Sequence, residues 1–288
     1  MNTIKLPDIR LDERVVIVTG ADRGLGRAMS LGLAQAGATV VLASPAVDGL
    51  EAVAAEIKAQ GAGRAIVQFV DITDLASCRT LVQTALEQAG RLDVLFNNAR
   101  RLHRGPNIPD RGNSLPMFET RPEIYQETIT VNVIGTFFMS RAAAEHFLKQ
   151  GKGKIINLST SIRHFYSKND SPYGVTKAAI EASTQIWSRD LEGTGVTVNT
   201  LLPGGAADSD PDRPKKPGQV LLPVDIMNPL VIWLASERSD GVTGCRFVGK
   251  KWDPGLPPHE AAWGAREEPV FINQPSGIFA DDKGQDPI

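Results

Sequence analysis

Short runs rich in valine and isoleucine alternate along the chain with longer segments of helical spacing. That alternation limits the fold more than any other feature. The runs fall at 15–18, 39–43, 65–70, 94–96, 155–158 and 196–202, with a weaker one at 246–248. The helical segments are 26–36, 47–60, 75–89, 123–149, 174–192 and 224–236. Strands alternating with helices of this length predict βαβ units and a parallel sheet. The strands are apolar almost throughout, which suits a sheet covered on both faces. The expected fold is a doubly wound α/β domain.

Punctuation agrees. Gly37, Gly61, Gly90 and the Gly193/Gly195 pair follow helical segments, where a glycine stop belongs. Thr73 or Asp74 is the expected N-cap of the helix after it. Two stretches break the alternation. Residues 204–223 are rich in Pro, Gly, Asp and Lys and read as a mobile loop. Residues 254–288 are rich in proline and glycine and read as an irregular, acidic C-terminal extension to a domain spanning 1–253.

Composition excludes several classes. The chain has 288 residues, 42% hydrophobic and 22% charged, with a net charge of −2. A length of this size allows one large domain or two small ones at roughly 150 residues each. A near-zero charge argues against a nucleic-acid binder that relies on a positive field. The two cysteines, Cys78 and Cys245, form neither a zinc pattern nor a disulfide scaffold, so no metal and a reduced, cytoplasmic setting are expected. No signal peptide is expected from the first residues, and no apolar run reaches the roughly 18 residues of a membrane span.

The first strand runs into Thr19-Gly20-Ala21-Asp22-Arg23-Gly24-Leu25-Gly26 and then a helix. Glycines here let backbone approach a diphosphate, and the helix start offers free N–H groups and a positive dipole end. A tight turn without a ligand is the plainer alternative. In a dinucleotide-binding, Rossmann-like fold an acidic residue about 20 positions on holds the ribose 2′-hydroxyl. Ser44-Pro45 stands there instead, and Arg23 can pair with a 2′-phosphate. NADP(H) is therefore favoured over NAD(H). Nearby Asp48 blurs this, and Arg23 also reads as a solvated surface arginine.

Tyr173 and Lys177 stand four residues apart at a helix start, on one face. A cation there favours the phenolate, which makes Tyr173 a candidate general acid/base. An amphipathic helix start gives the same pair without chemistry. Ser159, Thr160 and Ser161 follow the preceding strand, and ligands of such sheets lie beyond the carboxyl ends of strands. Glycine loop, hydroxyl cluster and Tyr–Lys pair then share one rim.

In this combination the chain resembles the short-chain dehydrogenase/reductase family, from about residue 14 to 247. The motifs are TGADRGLG (19–26), VDITD (70–74), FNNA (96–99), VNVIGTF (131–137), INLSTS (156–161), YGVTK (173–177) and VNTLLPGG (198–205). The resemblance implies that Tyr173 exchanges the substrate proton, helped by Lys177, which also bonds the nicotinamide ribose. It implies that Asn132 holds a water leading to Lys177. The carbonyl-polarising hydroxyl, 13 residues before the tyrosine, falls on Thr160, with Ser159 and Ser161 beside it. Gly20, Gly24 and Gly26 would wrap the diphosphate. Arg23, Leu25, Ser44, Asp71, Ile72, Asn98, Pro203 and Gly204 complete the cofactor set. Asp71 is also a candidate helix cap.

Two departures stand out. Arg100 replaces a glycine of the NNAG pattern, and Asp208 takes the place of a threonine that often bonds the carboxamide. Arg100, Arg104 and Arg163 on rim loops, with Ser161, read either as an anionic-substrate site or as solvated charge. The expected reaction is hydride transfer between a nicotinamide cofactor and a ketone or secondary alcohol, with a small-molecule carbonyl or alcohol as substrate. A 3-oxoacyl-type or other ketone reductase leads, and a sugar or polyol dehydrogenase is the alternative. A catalytically silent nucleotide-binding scaffold is the rival of another class. The resemblance implies a homodimer or homotetramer packed through the helices at 123–149 and 174–192. The extension carries net charge −4 and is expected to pack on the same or a neighbouring subunit.

Overall fold

The computed structural model describes residues 4–102, 115–209, 218 and 220–270. Their strands form one sheet in the order β3-β2-β1-β4-β5-β6-β7-β8. In chain order these are β1 (Val15–Thr19), β2 (Thr39–Ser44), β3 (Arg64–Phe69), β4 (Val94–Asn97), β5 (Gly153–Leu158), β6 (Val196–Leu202), β7 (Arg246–Val248) and β8 (Arg266–Glu267). All neighbours pair in parallel except β8, which runs antiparallel to β7. The helices are α1 (Gly24–Gln35), α2 (Val47–Gln60), α3 (Leu75–Ala89), α4 (Pro122–Ile129), α5 (Thr136–Gln150), α6 (Tyr173–Asp190), α7 (Asn228–Ala235) and α8 (Pro258–Gly264).

β1 shows why the strands read as unbroken apolar runs. Val16 and Val18 point into one core with Met29, Leu33, Leu50, Trp233 and Phe247. Val15 and Ile17 point into the other, with Leu81, Phe147 and Ile155. Successive side chains face opposite sides of a strand, so a sheet covered on both faces needs apolar residues at every position. The order reverses between β1 and β4, and the crevice beyond their carboxyl ends is where such sheets bind ligands.

Two expectations change. The segment 123–149 is not one regular helix, because a π-helical stretch, Thr130–Gly135, separates α4 from α5. Such turns are rare and gather at functional sites, and this one carries Asn132. The extension after 253 is not irregular in its described part, which contributes α8 and β8. There His259 and Trp263 pack at tilted angles against Trp233, and the Arg266 guanidinium lies 3.8 Å from the Trp263 ring centroid. Of the stretch 204–223, expected to be a mobile loop, Ala207 bridges Leu222, and residues 210–217 and 219 lie outside the described residues. Asp74 is the N-cap of α3, accepting from the Ala76 N–H at 2.9 Å.

Candidate active site

The glycine loop leaves β1 with Gly20 at φ +65° and Gly24 at φ +56°, a region side chains disfavour. A Cβ on Gly26 would lie 2.0 Å from the Gly20 carbonyl oxygen, so the first turn of α1 packs directly on the loop. Arg23 caps α1 only through extended backbone, with no side-chain bond. The first N–H groups of a helix have no intrahelical acceptor, so those of Gly24, Leu25 and Gly26 remain for an anion. This arrangement fits a dinucleotide diphosphate. The Ser209 carbonyl crosses above, 2.7 Å from where a Gly24 Cβ would stand.

The other expected cofactor residues lie around this loop. The Asn98 side chain donates to the carbonyls of Thr19 (2.8 Å) and Gly20 (3.1 Å), so its amide braces the loop. The Ser44 hydroxyl is buried and accepts from the Ala46 N–H at 3.0 Å. The Arg23 side chain is 90% exposed, its Nε 3.7 Å from the Asp22 carboxylate. The Asp71 carboxylate closes its own turn by accepting from the Thr73 N–H and hydroxyl. Ile72 is buried against Gly135 of the π stretch, where a Cβ would be 2.7 Å from its Cγ1. Gly204, at φ +88°, leaves no room for a Cβ beside Val248 and Lys250, and the Pro203 carbonyl accepts from the Lys250 N–H.

Tyr173 opens α6 and is buried, with Lys177 Nζ 5.9 Å from its ring centroid. Lys177 Nζ donates to the Leu158 carbonyl at 2.6 Å. Burial drives the Lys177 ammonium down to about 7. The Arg100 charge adds to that fall, and Glu181 opposes it. Asn132 accepts from the Arg101 N–H at 2.6 Å and donates to the Arg101 carbonyl and the Thr176 hydroxyl. Its amide ties the β4 loop to the first turn of α6.

The hydroxyl cluster splits by environment. The Ser159 hydroxyl is buried beside the Glu181 carboxylate, in a geometry short of a regular hydrogen bond. Thr160 and Ser161 are half-buried, and the exposed Arg163 follows. Arg104 lies outside the described residues.

Further groups complete the site. His164 Nδ1 bonds the Asp170 carboxylate, and its ring stands edge-on to Tyr173 at 6.1 Å between centroids. The His164 carbonyl would sit 2.0 Å from a Cβ on Gly174, so only glycine follows Tyr173 without displacing it. Asn97 donates to Ser140 (2.8 Å) and Asn157 (2.9 Å), and Asn157 donates to Thr184. That chain crosses from α5 through β4 and β5 to α6. Buried amides in consecutive strand ends are its sequence signal.

Comparison with known proteins follows the same lines. A family model described as short chain dehydrogenase matches residues 14–218. A 2,5-dichloro-2,5-cyclohexadiene-1,4-diol dehydrogenase of Sphingobium indicum is 32% identical, over 86% of this chain and 99% of its own. A 3-oxoacyl-[acyl-carrier-protein] reductase of Thermotoga maritima is 26% identical, over 82% and 96%. The crystal structure of a putative short-chain alcohol dehydrogenase from Sinorhizobium meliloti superposes with a TM-score of 0.74 at 25% identity. The match covers 84% of this chain and 97% of that one.

Proposed function

The chain belongs to the short-chain dehydrogenase/reductase family, and from that premise we propose that Tyr173 is the proton-exchanging residue of its reaction. The protein is an oxidoreductase acting on CH–OH or C=O groups. The observation that carries the proposal is the buried Tyr173 ring beside Lys177, at the rim where the glycine loop ends.

When bound, the nicotinamide ring supplies or accepts the hydride. The first-turn N–H groups of α1 would hold the diphosphate. In ketone reduction, Tyr173 Oη donates its proton to the substrate oxygen as that oxygen gains charge. Lys177 favours the resulting phenolate and is held by the Leu158 carbonyl. Thr160, rather than Ser159, hydrogen-bonds the substrate oxygen, because the Ser159 hydroxyl is sealed from solvent beside Glu181. Asn132 positions, through Arg101 and Thr176, the two segments that flank the substrate.

The substrate we favour is a 3-oxoacyl-type or similar ketone, in line with the similarity to a 3-oxoacyl reductase. The charge of Arg100 near Lys177 supports an anionic group on it. A cyclic diol or polyol is the second reading, favoured by the greater identity to a cyclohexadienediol dehydrogenase. A panel of ketones and diols, with and without a carboxylate, separates them by kcat/KM. Homo-oligomerisation is proposed through α5 and α6, where Phe137, Val175 and Ile186 are exposed.

NADP(H) is the proposed cofactor, because a buried serine in place of a carboxylate ends β2 and Arg23 stands exposed at the loop, with Asp22 beside it. Arg23→Ala is expected to weaken NADPH binding about tenfold and NADH binding less than twofold, since one charge-assisted hydrogen bond is worth roughly 1.5–3 kcal/mol. Fluorescence titration with both cofactors measures this. Tighter NADH binding by the unaltered protein would refute the assignment.

A further inference from the structure

We propose that Arg246 is a positioning residue for this reaction, locking the backbone of Thr160 and the helix that carries Tyr173 to one buried guanidinium. The inference rests on the roles proposed above for Tyr173 and Thr160.

Arg246 is 1% exposed, at the start of β7, one strand in from the β8 edge of the sheet. Burying a guanidinium is costly unless each nitrogen finds an acceptor. Here each does. Nη1 bonds the Glu181 carboxylate, Nη2 donates to the Thr160 carbonyl at 2.9 Å, and Nε faces the Glu267 carboxylate at 3.3 Å. Glu181 accepts in addition from the Thr200 hydroxyl at 3.3 Å.

The topology explains why the loop needs this tether. The Ser159 N–H reaches the Leu201 carbonyl, the last ladder bond of β5 on β6. Thr160 stands one residue beyond it, where no strand partner remains. Arg246, on β7, pairs with Thr200 of β6, which pairs with Asn157 of β5. The arginine thus spans β6 to hold a loop two strands away.

Its second anchor lies on α6. Glu181 is four residues after Lys177, on the same face of that helix. One guanidinium therefore fixes the hydroxyl loop and the Tyr–Lys helix relative to each other. The third anchor, Glu267, belongs to β8 and also pairs with Lys251 at 3.0 Å. The first part of the C-terminal extension thereby reaches the back of the active site.

A merely structural ion pair would change stability and leave the chemical step alone. A positioning pair would lower kcat, because small displacements of catalytic groups cost about a hundredfold. The test compares three variants in the full-length protein, with ethyl acetoacetate and NADPH or 1,2-cyclohexanediol and NADP+, whichever the unaltered enzyme turns over. In Arg246→Met/Glu181→Leu both charges leave together, a replacement that commonly preserves folding. The expected result is a 10- to 100-fold fall in kcat with cofactor Kd within twofold. Arg246→Lys keeps the charge but cannot serve all three acceptors, so about a tenfold fall is expected if the double variant does not fold. Unchanged kcat in either folded variant overturns the positioning role. Tyr173→Phe keeps the two levels apart. If it is inactive while the Arg246 variants match the unaltered enzyme, only this inference fails; if it is active, the assignment of Tyr173 fails.

Discussion

Replacing Tyr173 with phenylalanine is expected to lower kcat/KM about a thousandfold while leaving cofactor Kd within about twofold. General acid–base catalysis contributes roughly 10²–10⁴ in rate, and a thousandfold corresponds to about 4 kcal/mol of barrier. Only the hydroxyl is lost. The ring keeps its place at the start of α6, edge-on to His164, so the fold has no reason to change. The diphosphate cradle is built from other elements, the β1 loop and the first turn of α1. Steady-state kinetics and fluorescence titration on the same preparation report the two quantities. Turnover within tenfold of the unaltered enzyme would remove Tyr173 from the mechanism.

Replacing Lys177 with methionine should both cripple turnover, by about 10²–10³, and stabilise the cofactor-free protein at mildly acidic pH. The ammonium is buried, and desolvation pushes it down to about 7, with Arg100 adding repulsion and Glu181 opposing. In the unfolded chain a lysine titrates near 10.4. Between those values the unfolded state binds more protons, so stability of the unaltered protein rises with pH across that window. Below about 7 the cost of the buried charge is present in full, with a ceiling of about 5 kcal/mol. Methionine removes that cost but leaves the Leu158 carbonyl without its donor, a loss of about 1–3 kcal/mol. The expected net gain is about 2–3 kcal/mol at pH 6, fading near pH 9. Urea unfolding at the two pH values measures it. A variant less stable than the parent at pH 6, or equally shifted at both, would contradict the buried-charge account.

Much of this was legible in the chain because period and punctuation are local. The apolar runs became strands within a residue or two, since a doubly covered strand needs apolar residues on both faces. The helices at 47–60 and 75–89 end where Gly61 and Gly90 take left-handed backbone. Tyr173 and Lys177 were visible because i and i+4 share a helix face. What stayed hidden depends on distant partners. The π stretch around Asn132 is matched to the backbone of Arg101, 31 residues earlier, which no periodicity reports. β8 has two residues and α8 seven, too short for a pattern, and they are held by the Trp233, His259 and Trp263 cluster. Glu181 stood in plain view one turn after Lys177, but its partner is 65 residues on, in a three-residue strand where an arginine reads as a solvated end.

The most direct measurement is transfer of deuterium from NADPH labelled at nicotinamide C4, across a panel of 3-oxoacyl esters, cyclic diketones and sugar-derived ketones. Label is expected on the new carbinol carbon with at least one of these substrates, and about a thousandfold less of it in Tyr173→Phe over the same time. No labelled alcohol from any of them, or equal labelling by the Tyr173→Phe variant, would contradict the proposed function.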